Sequence, residues 1–593
     1  VNMSTNISGE KRQDLLSKIA EIKAFIEQNA NDKNASQLLG YLGELSREVN
    51  GKKYGLVFEE HREKIDETLE QYAPIFTEEK DLFVDNGGEL NFLLEGDNLA
   101  SLKLLEKTHR GKIDVIYIDP PYNTGNKDFI YDDDYVDADD SFRHSKWCSF
   151  ISKRLRIARD LLAQNGFIAI SIDDNEYSAM KFLCDEIFGV GNYLATFHIQ
   201  VRYAEKSINE EKPFKPLMEY VLFYAKNNLF FNPNREKIDY GLDGFCFKIT
   251  ELKDGEHIFV KNQEVVVFKK GDWKIEKVQG NIDGLKETWI TGSIYTTMSY
   301  GKVFQSIVEP RIEEDGLGCL YKVLGRGDDG LGYRYYTGPA KANATKGKMF
   351  SGIPLEKRKI FETGNAPTRE LPILTAYDFS PDFGNIRHEG GVPFGSGKKP
   401  VKMLKQFINY HKKKDITVLD FFAGSGSAGH ATLALNAEDG GHRKFILCTN
   451  NENSICRDIT YQRLKTVITG KRKDGSNYSD ALPGSLKYFK TGFIPISEKM
   501  YYEYADELLL HVRELVELEN AVNFDKDKTV AIVLDDDELE EFIAAVVSAG
   551  STSAKVLYVG HDVLLSSRQE QILKARNISV NVIPDYYYRD LAL

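Results

Sequence analysis

The sequence predicts an α/β protein whose sheet is largely parallel and is interrupted by an insertion. Short apolar strands alternate with helix-like segments over residues 90–188, an order typical of parallel sheets with helices on their faces. The same order of strand, turn and helix returns over 416–435. Between these runs, residues 231–385 lose the alternation and are rich in Gly, Tyr and Lys. We therefore expect two halves of one α/β domain with an inserted domain between them.

Two further regions flank this α/β domain. At the start of the chain, Leu15, Ile19, Ile22 and Ile26 lie at helical spacing and a second helix is expected over 38–45. Such an arm can pack on a partner, on another copy or on its own chain. At the other end, strands and helices alternate again and predict a small α/β domain. The predicted regions are a helical N-terminal arm at 1–80, the first half of the α/β domain at 81–230, the insertion at 231–385, the second half at 386–482 and an acidic α/β domain at 483–593.

Composition limits the classes of site and location. The six cysteines form no C-x-x-C pair and the chain has no H-E-x-x-H, so neither a metal site nor a disulfide framework is expected. The acidic run 535–538 is expected to begin a helix, where the dipole favours negative charge. No apolar run approaches the about 20 residues that span a bilayer, and the first residues do not resemble a signal peptide. We expect a cytoplasmic protein without membrane segments or metal.

Charge is distributed unevenly along the chain. The net charge is −13, yet residues 341–414 hold 15 Lys and Arg against 6 Asp and Glu, a balance of +9. Residues 491–593 hold 9 against 19, a balance of −10. A basic central region is the pattern expected for contacts to phosphates, although a solvated charged face explains any single lysine equally well.

A four-residue segment, Asp119-Pro120-Pro121-Tyr122, directly follows the apolar run 113–118. The run predicts a buried strand, and loops after the carboxyl ends of such strands carry the ligand sites of α/β sheets. Two prolines remove two amide donors and fix two φ angles, so the Asp119 carboxylate and nearby carbonyls form a rigid group of acceptors beside an aromatic ring. Such a loop suits a planar conjugated amine. The alternative is a simple turn after a strand.

A glycine turn follows the second predicted strand, 416–420. Glycines let the backbone approach a ligand closely, and the helix start beyond them presents free N–H groups to a carboxylate or a similar anion. Because Gly429 completes a G-x-G-x-x-G spacing, spacing alone leaves NAD open as the ligand. The residues of the turn are Asp420, Phe421, Phe422, Ala423, Gly424, Ser425 and Gly426.

Together, the two motifs resemble those of amino-methyltransferases that use S-adenosylmethionine (SAM), in which F-x-G-x-G binds the cofactor and D-P-P-Y holds the target amine. Their order, with D-P-P-Y first, is similar to that of the circularly permuted β group of DNA adenine-N6 methyltransferases. This implies a Rossmann-like SAM-dependent methyltransferase sheet. Three more segments resemble parts of that group: 95–99 its GDN segment, 394–401 its KKP segment, and 219–226 the aromatic strand near the flipped base.

A narrower resemblance is to the modification subunit of type III restriction-modification systems. It rests on 119–125, 129–135, Trp147, Arg154 and 448–453, and spans roughly residues 80–480. In the family, an acidic residue after the strand that follows F-x-G-x-G commonly holds the SAM ribose. Here that strand is followed by Thr-Asn-Asn. Asn450 and Glu452 are therefore both candidates for this contact.

The resemblance implies methyl transfer from SAM to N6 of an adenine that has left the stack of a DNA duplex. Asp119 and the Pro120 carbonyl would accept the hydrogens of the amine, and Tyr122 would stack on the base. Positioning of the two reactants can supply about 7–11 kcal/mol of the barrier at best, so it should matter more than proton abstraction. The implied SAM-binding residues are Asp97, Asn98, Lys399, Pro400, Asp420, Phe422, Ala423, Gly424, Ser425, Gly426, Asn450 and Glu452.

The insertion is implied to recognise the DNA target. Its candidate DNA-binding residues can contact phosphates, or the arginines can read guanine edges, and one sequence leaves these roles open. The family also implies double-stranded DNA as a partner, a homodimer in which one copy reads and the other methylates, and a restriction subunit that brings ATPase and nuclease. The candidate DNA-binding residues are Arg326, Arg334, Lys341, Lys346 and Lys348.

Three alternatives stay open. The same loop can serve cytosine N4 or an RNA base, since each offers a conjugated amine. Methylation of a protein glutamine usually goes with N-P-P-Y and with F-x-G-x-G first, the reverse of the order here. A non-catalytic DNA-reading subunit that guides a nuclease is a third alternative, against which the intact Asp119, Tyr122 and F-x-G-x-G argue.

Overall fold

The computed structural model describes residues 7–28, 35–49, 56–125, 129–131, 134–136, 139–205, 213–290, 299–344, 346–394, 398–496, 507–524, 527–548 and 553–588. The chain divides into two compact units. The first, which we call the sheet unit, comprises Val1–Asn234 and Leu374–Leu593. The second, the inserted unit, comprises Arg235–Ile373, where the sequence predicted an insertion at 231–385.

The strands are short, as in most globular proteins, and several are β-branched or aromatic in composition. In chain order they are β1 Tyr72–Glu78, β2 Val84–Asp85, β3 Leu90–Glu95, β4 Ile113–Ile118, β5 Ile130–Tyr131, β6 Asp134–Tyr135, β7 Leu162–Ile172, β8 Tyr193–Gln200, β9 Met218–Ala225, β10 Lys237–Asp239, β11 Phe247–Glu251, β12 Glu256–Val260, β13 Gln263–Phe268, β14 Trp273–Lys277, β15 Lys286–Trp289, β16 Leu320–Leu324, β17 Tyr333–Thr337, β18 Lys348–Ser351, β19 Thr368–Glu370, β20 Ala376–Asp378, β21 Thr417–Asp420, β22 Lys444–Thr449, β23 Ser485–Pro495, β24 Val530–Val533, β25 Val556–Gly560 and β26 Ser579–Ile583.

The helices are α1 Ile7–Gln28, α2 Ala35–Val49, α3 Lys64–Gln71, α4 Asn98–His109, α5 Arg143–Leu161, α6 Tyr177–Cys184, α7 Ser299–Val303, α8 Ile312–Asp315, α9 Leu355–Glu362, α10 Ser380–Gly384, α11 Val401–Ile408, α12 Ser427–Asp439, α13 Gln462–Thr469, α14 Val512–Asn520, α15 Asp536–Ser548, α16 Ser567–Ala575 and α17 Asp585–Tyr588. None of the helices in the described part of the chain has the length and apolar character needed to cross a membrane.

The main sheet of the sheet unit confirms the α/β fold. Its strand order is β1-β23-β3-β22-β21-β4-β7-β9-β8-β20, with β2 beside β23. The central strands β3, β22, β21, β4 and β7 are mutually parallel, and β4 is almost entirely buried, as expected for a strand covered on both faces. β4 and β21 come from opposite halves of the chain and pair in parallel. Their carboxyl ends therefore bring Asp119 and Asp420 to the same edge.

Two predicted boundaries are wrong. β1, which the sequence assigned to a helical arm at 1–80, pairs antiparallel with β23 in the main sheet and buries Ala73, Ile75 and Phe76. β23, assigned to a separate domain beginning at 483, runs parallel to β3 inside the same sheet. Both strands have local patterns that fit either neighbouring region, and only their long-range pairing decides the assignment.

The ends of the chain carry the predicted helices and strands. α1 and α2 lie at the positions predicted for the arm and pack against each other. The C-terminal part forms a three-stranded parallel sheet, β24-β25-β26, with its own core that includes Val533, Leu557 and Leu573. The acidic run 535–538 does begin a helix, since the Asp535 carboxylate accepts the backbone N–H of Glu538 at 2.8 Å.

The inserted unit is an antiparallel domain. Its largest sheet has six strands in the order β12-β13-β16-β17-β18-β15. One face buries a core around Val265, Phe304, Tyr321 and Tyr336. Because this core lies within 235–373, the unit has the packing of a domain of its own.

Candidate active site

The D-P-P-Y loop begins directly after β4 and is fixed from behind. Trp147 of α5 donates its Nε1–H to the Pro121 carbonyl at 2.7 Å. Asn123, the residue after the motif, is buried and has a φ of +57°, a left-handed conformation that asparagine tolerates. Its amide nitrogen lies 2.5 Å from the carboxylate of the buried Glu176, which also meets the His144 ring at 2.6 Å. The loop is thus held by side chains of the surrounding helices.

Three charged side chains meet in front of this loop. The Lys399 ammonium lies 3.2 Å from Asp119 Oδ1 and 2.9 Å from Glu219 Oε2. It also donates to the Tyr122 hydroxyl oxygen at 2.7 Å, and that hydroxyl donates to Asp119 at 2.9 Å. The exposed fractions of the side chains are 8% for Lys399, 19% for Asp119 and 18% for Glu219. We call Asp119, Tyr122, Glu219 and Lys399 the charged cluster.

Burial and mutual charge shift the pKa values within this cluster in opposite directions. Burial raises the pKa of Asp119, and the Lys399 ammonium partly offsets that rise. Burial also disfavours a charged Glu219, but Lys399 outweighs it and lowers the pKa of Glu219. For Lys399 the burial penalty is outweighed by the two carboxylates, which raise its pKa. The cluster is therefore one ammonium shared between two carboxylates.

Lys398, the residue before Lys399, has different partners. Lys398 is 3% exposed and its ammonium donates to the carbonyls of Arg387, Glu389 and Val392 at 2.6–3.0 Å. Burial lowers its pKa to about 8. Lys398 therefore ties together the segment before α11, while Lys399 belongs to the charged cluster.

The glycine turn connects β21 to α12. Gly424 and Gly426 have φ values of +48° and +74°, and Gly426 is the N-cap residue of α12. A side chain at Gly426 would bring a Cβ to 3.1 Å from Thr460 Cγ2. The buried Arg463 of α13 donates to the hydroxyls of Ser427 and Ser425 at 2.7 and 3.1 Å, and to Glu389 at 3.1 Å. The turn thus needs glycine locally and is buttressed by one arginine that the sequence did not single out.

The loop and the turn line one cavity of about 380 Å³. Ten of the sequence-predicted site residues lie in its wall: Asp119, Pro120, Pro121, Lys399, Asp420, Phe422, Ala423, Gly424, Ser425 and Asn450. Five further lining residues were not predicted, namely Tyr117, Phe394, Ser427, Thr449 and Ile455. Tyr117, Ser427 and Thr449 are direct neighbours of the motifs in sequence or on the strand, so position relative to the strand ends was a usable signal for them.

The other predicted cofactor residues support the cavity without lining it. Asp97 is the N-cap of α4 and accepts the backbone N–H groups of Leu99 and Ala100 at 2.8 and 3.1 Å. Asn98 donates to the Phe421 carbonyl at 3.0 Å. Gly426 and Pro400 are the N-cap residues of α12 and α11.

The two ribose candidates are hydrogen-bonded to each other. The Asn450 amide donates to Glu452 Oε1 at 2.6 Å. Both side chains are exposed, and of the two only Asn450 lines the cavity.

The five candidate DNA-binding residues of the inserted unit differ in their exposure and in their contacts. Arg334 is 8% exposed and its guanidinium pairs with Asp329 and, at 2.7 Å, with Asp328. Its charge is already paired inside the unit, which argues against a DNA contact, and the DNA role of this arginine stays a prediction. The remaining candidates differ in their contacts: Lys348 meets Glu287 at 2.8 Å and lies over the Trp289 ring, Arg326 donates to Gln263 at 3.2 Å, and Lys341 and Lys346 are exposed.

Comparison with known proteins points to one family. A family model described as DNA methylase matches residues 113–466, more than half of the chain. This range contains the D-P-P-Y loop, the charged cluster and the glycine turn, as well as the inserted unit.

Three relatives have similar sequences. The EcoPI Mod subunit, a type III restriction-modification enzyme of Escherichia phage P1, is 30% identical over 62% of this chain and 58% of its own length. The StyLTI Mod subunit of Salmonella typhimurium is 30% identical over 66% of this chain and 57% of its own length. The type II methyltransferase M.KpnI of Klebsiella pneumoniae is 30% identical over 67% of this chain and 90% of its own length. The chain thus spans less than two thirds of the two Mod subunits.

Proposed function

The chain belongs to the DNA methylase family, and from this premise we propose that it transfers a methyl group from SAM to the exocyclic amine of a base in double-stranded DNA. Adenine N6 is the proposed acceptor. One observation carries the proposal: the D-P-P-Y loop and the F-x-G-x-G turn, remote in sequence, line the same cavity.

The residues of the cavity fit SAM. A volume of about 380 Å³ lies in the range typical of small-molecule sites. The start of α12, with Ser425 and Ser427 beside it, offers N–H and hydroxyl donors to a carboxylate, and the Phe422 ring offers an apolar face to a purine. In this proposal Asn450, which lines the cavity, binds a ribose hydroxyl. When bound, SAM supplies an electrophilic methyl group on a sulfonium.

The loop residues would act on the amine. The Asp119 carboxylate and the Pro120 carbonyl accept its two N–H hydrogens, which orients the nitrogen lone pair toward the methyl donor. Tyr122 donates to Asp119 in the structure, and in this proposal its ring stacks on the base. The target base must leave the duplex stack to reach this enclosed position.

We further propose that the chain is the modification subunit of a type III restriction-modification system. The type III Mod relatives support this assignment. In this proposal a homodimer binds DNA through the inserted unit, and a separate restriction subunit carries ATPase and nuclease. Transfer to cytosine N4 is the second candidate, because the loop accepts hydrogens that both amines present.

The test is transfer of a labelled methyl group from SAM to unmethylated bacterial DNA, followed by digestion and identification of the nucleosides. Wild type should yield N6-methyladenine. Asp119→Ala should yield none while its binding of SAM weakens by no more than about tenfold, since Asp119 would contact the amine and contributes only one unit charge near the cofactor. Labelled N4-methylcytosine would move the acceptor to cytosine. Specific DNA binding without transfer to any DNA would overturn the enzyme assignment in favour of a guide subunit.

A further inference from the structure

We propose that Glu219 is a positioning residue that gives the charged cluster its net negative charge, and that this charge favours the cationic methyl donor and the cationic amine formed during transfer. The inference rests on the proposed methyl transfer. It assigns a role to a residue of β9 that lies outside both sequence motifs.

Lys399 forms ion pairs with two carboxylates and not with Asp119 alone. The same ammonium lies 2.9 Å from Glu219 and 3.2 Å from Asp119. Glu219 Oε2 also lies 3.2 Å from the Tyr122 hydroxyl oxygen, as an alternative acceptor to Asp119 for its one hydrogen. When both carboxylates are ionised, at pH values above the acid limb, a lone Asp119–Lys399 pair would be neutral, and the second carboxylate leaves one negative charge uncompensated.

Other ionisable groups facing the pair do not cancel this charge. Burial raises the pKa values of the Tyr117 and Tyr122 phenols well above their ordinary values, and it raises the pKa of the Asp420 carboxyl as well. Asp173 bears on Glu219 from the end of β7, and burial raises its pKa too. Arg202 lines a second cavity together with Glu219 and Lys399 and contributes to the lowered pKa of Glu219, but it is exposed to solvent, which screens its charge and leaves the compensation partial.

The chemistry explains why a net negative cluster is useful. The amine nitrogen forms a bond to the methyl carbon as the carbon–sulfur bond breaks and its electron pair stays on sulfur. Positive charge thereby moves from sulfur to nitrogen, and the nitrogen then passes one proton to the Asp119 carboxylate, which releases it to solvent. Because the cluster lies at the amine site, its negative charge stabilises the cation more strongly as the charge reaches nitrogen, whereas a neutral pair would not.

The test compares wild type, Glu219→Gln and the matched control Glu67→Gln, which alters an exposed carboxylate of α3. The first measurement is binding without DNA: the affinity for SAM relative to S-adenosylhomocysteine, its uncharged thioether counterpart. Glu219→Gln should reduce this preference by about three- to tenfold because one nearby unit charge is lost. Glu67→Gln should leave it unchanged.

The second measurement is the pH dependence of kcat. Because the charge of Glu219 raises the pKa of Asp119, Glu219→Gln should move the acid limb to lower pH while the plateau falls about tenfold. Lys399→Met should move the acid limb to higher pH, since it removes the cation that lowers the pKa of Asp119. Glu219→Asp should restore part of the plateau rate.

An unchanged binding preference together with an unmoved acid limb in Glu219→Gln would overturn the inference, while methyl transfer by wild type would still uphold the proposed function. Absence of transfer by wild type would instead count against the proposed function. If thermal unfolding shows that Glu219→Gln does not fold, Glu219→Asp decides in the same binding assay: loss of the preference for SAM in a folded variant that keeps the carboxylate would overturn the inference.

Discussion

The glycine turn and the D-P-P-Y loop follow neighbouring strands of one sheet, yet their working parts come from different distances along the chain. The turn is almost entirely local: Gly424 and Gly426 set its backbone within a few residues of β21. The charged cluster joins Tyr122 to Glu219 and Lys399, which are 97 and 277 positions away. The backbone conformation of a ligand-binding turn can thus be encoded in one short segment. The net charge of a cluster depends instead on distant segments that the fold brings together.

The largest expected effect tests a remote support of the turn. Arg463→Met removes a fully buried guanidinium together with its hydrogen bonds to Glu389, Ser425 and Ser427. We expect the free energy of unfolding to fall by about 3 kcal/mol and SAM binding to weaken. Lys465→Met, an exposed change in the same helix, is the control and should cost less than about 0.5 kcal/mol. Equal stability of the two variants in denaturant titrations would show that the turn needs no support from α13.

These contrasts also explain what the sequence could predict. β4, β21 and the residues around them were identifiable because each motif is contiguous with its strand. Nothing local distinguishes Lys399 from Lys398, since both are buried and only their partners differ. The same reason explains why the sequence did not assign β23 to the main sheet. Its position beside β3 is decided by pairing between segments that are far apart in the chain.

The next largest effect tests whether the backbone of the glycine turn itself controls SAM binding. Gly426→Val forces a branched residue into a φ of +74° and against Thr460, so SAM binding should weaken by about 30-fold or more. Gly440→Val is the matched control, because Gly440 ends the same helix with a φ of +65° but has open space at its Cβ position. Calorimetric titration should show SAM affinity lost in the first variant only. Similar losses in both would mean that helix strain, and not the cavity wall, controls binding.

A smaller effect concerns the support behind the D-P-P-Y loop. Glu176→Gln should lower kcat by about tenfold with little change in SAM affinity, because a neutral amide oxygen accepts more weakly than a carboxylate from the Asn123 amide and the His144 ring. Glu176→Asp should recover part of the rate. The measurement is steady-state transfer at saturating SAM, with Glu67→Gln as the surface control. A change in SAM affinity alone would place Glu176 in support of the cavity and not of the loop.

The smallest expected effect concerns the inserted unit, where an exposed lysine is compared with an arginine that is paired inside the unit. Lys341 and Arg334 belong to the same predicted set of DNA contacts, but Lys341 is exposed and Arg334 is paired internally with Asp328 and Asp329. Under the proposed function, Lys341→Ala should weaken DNA binding a few-fold for all sequences and reduce the salt dependence by about one charge. Arg334→Ala should instead lower the stability of the unit, because it leaves the buried Asp329 carboxylate without its cationic partner. A full loss of DNA affinity in an Arg334→Ala protein of wild-type stability would mean that this arginine leaves its carboxylates to meet DNA, so that internal pairing does not exclude a cation from the interface.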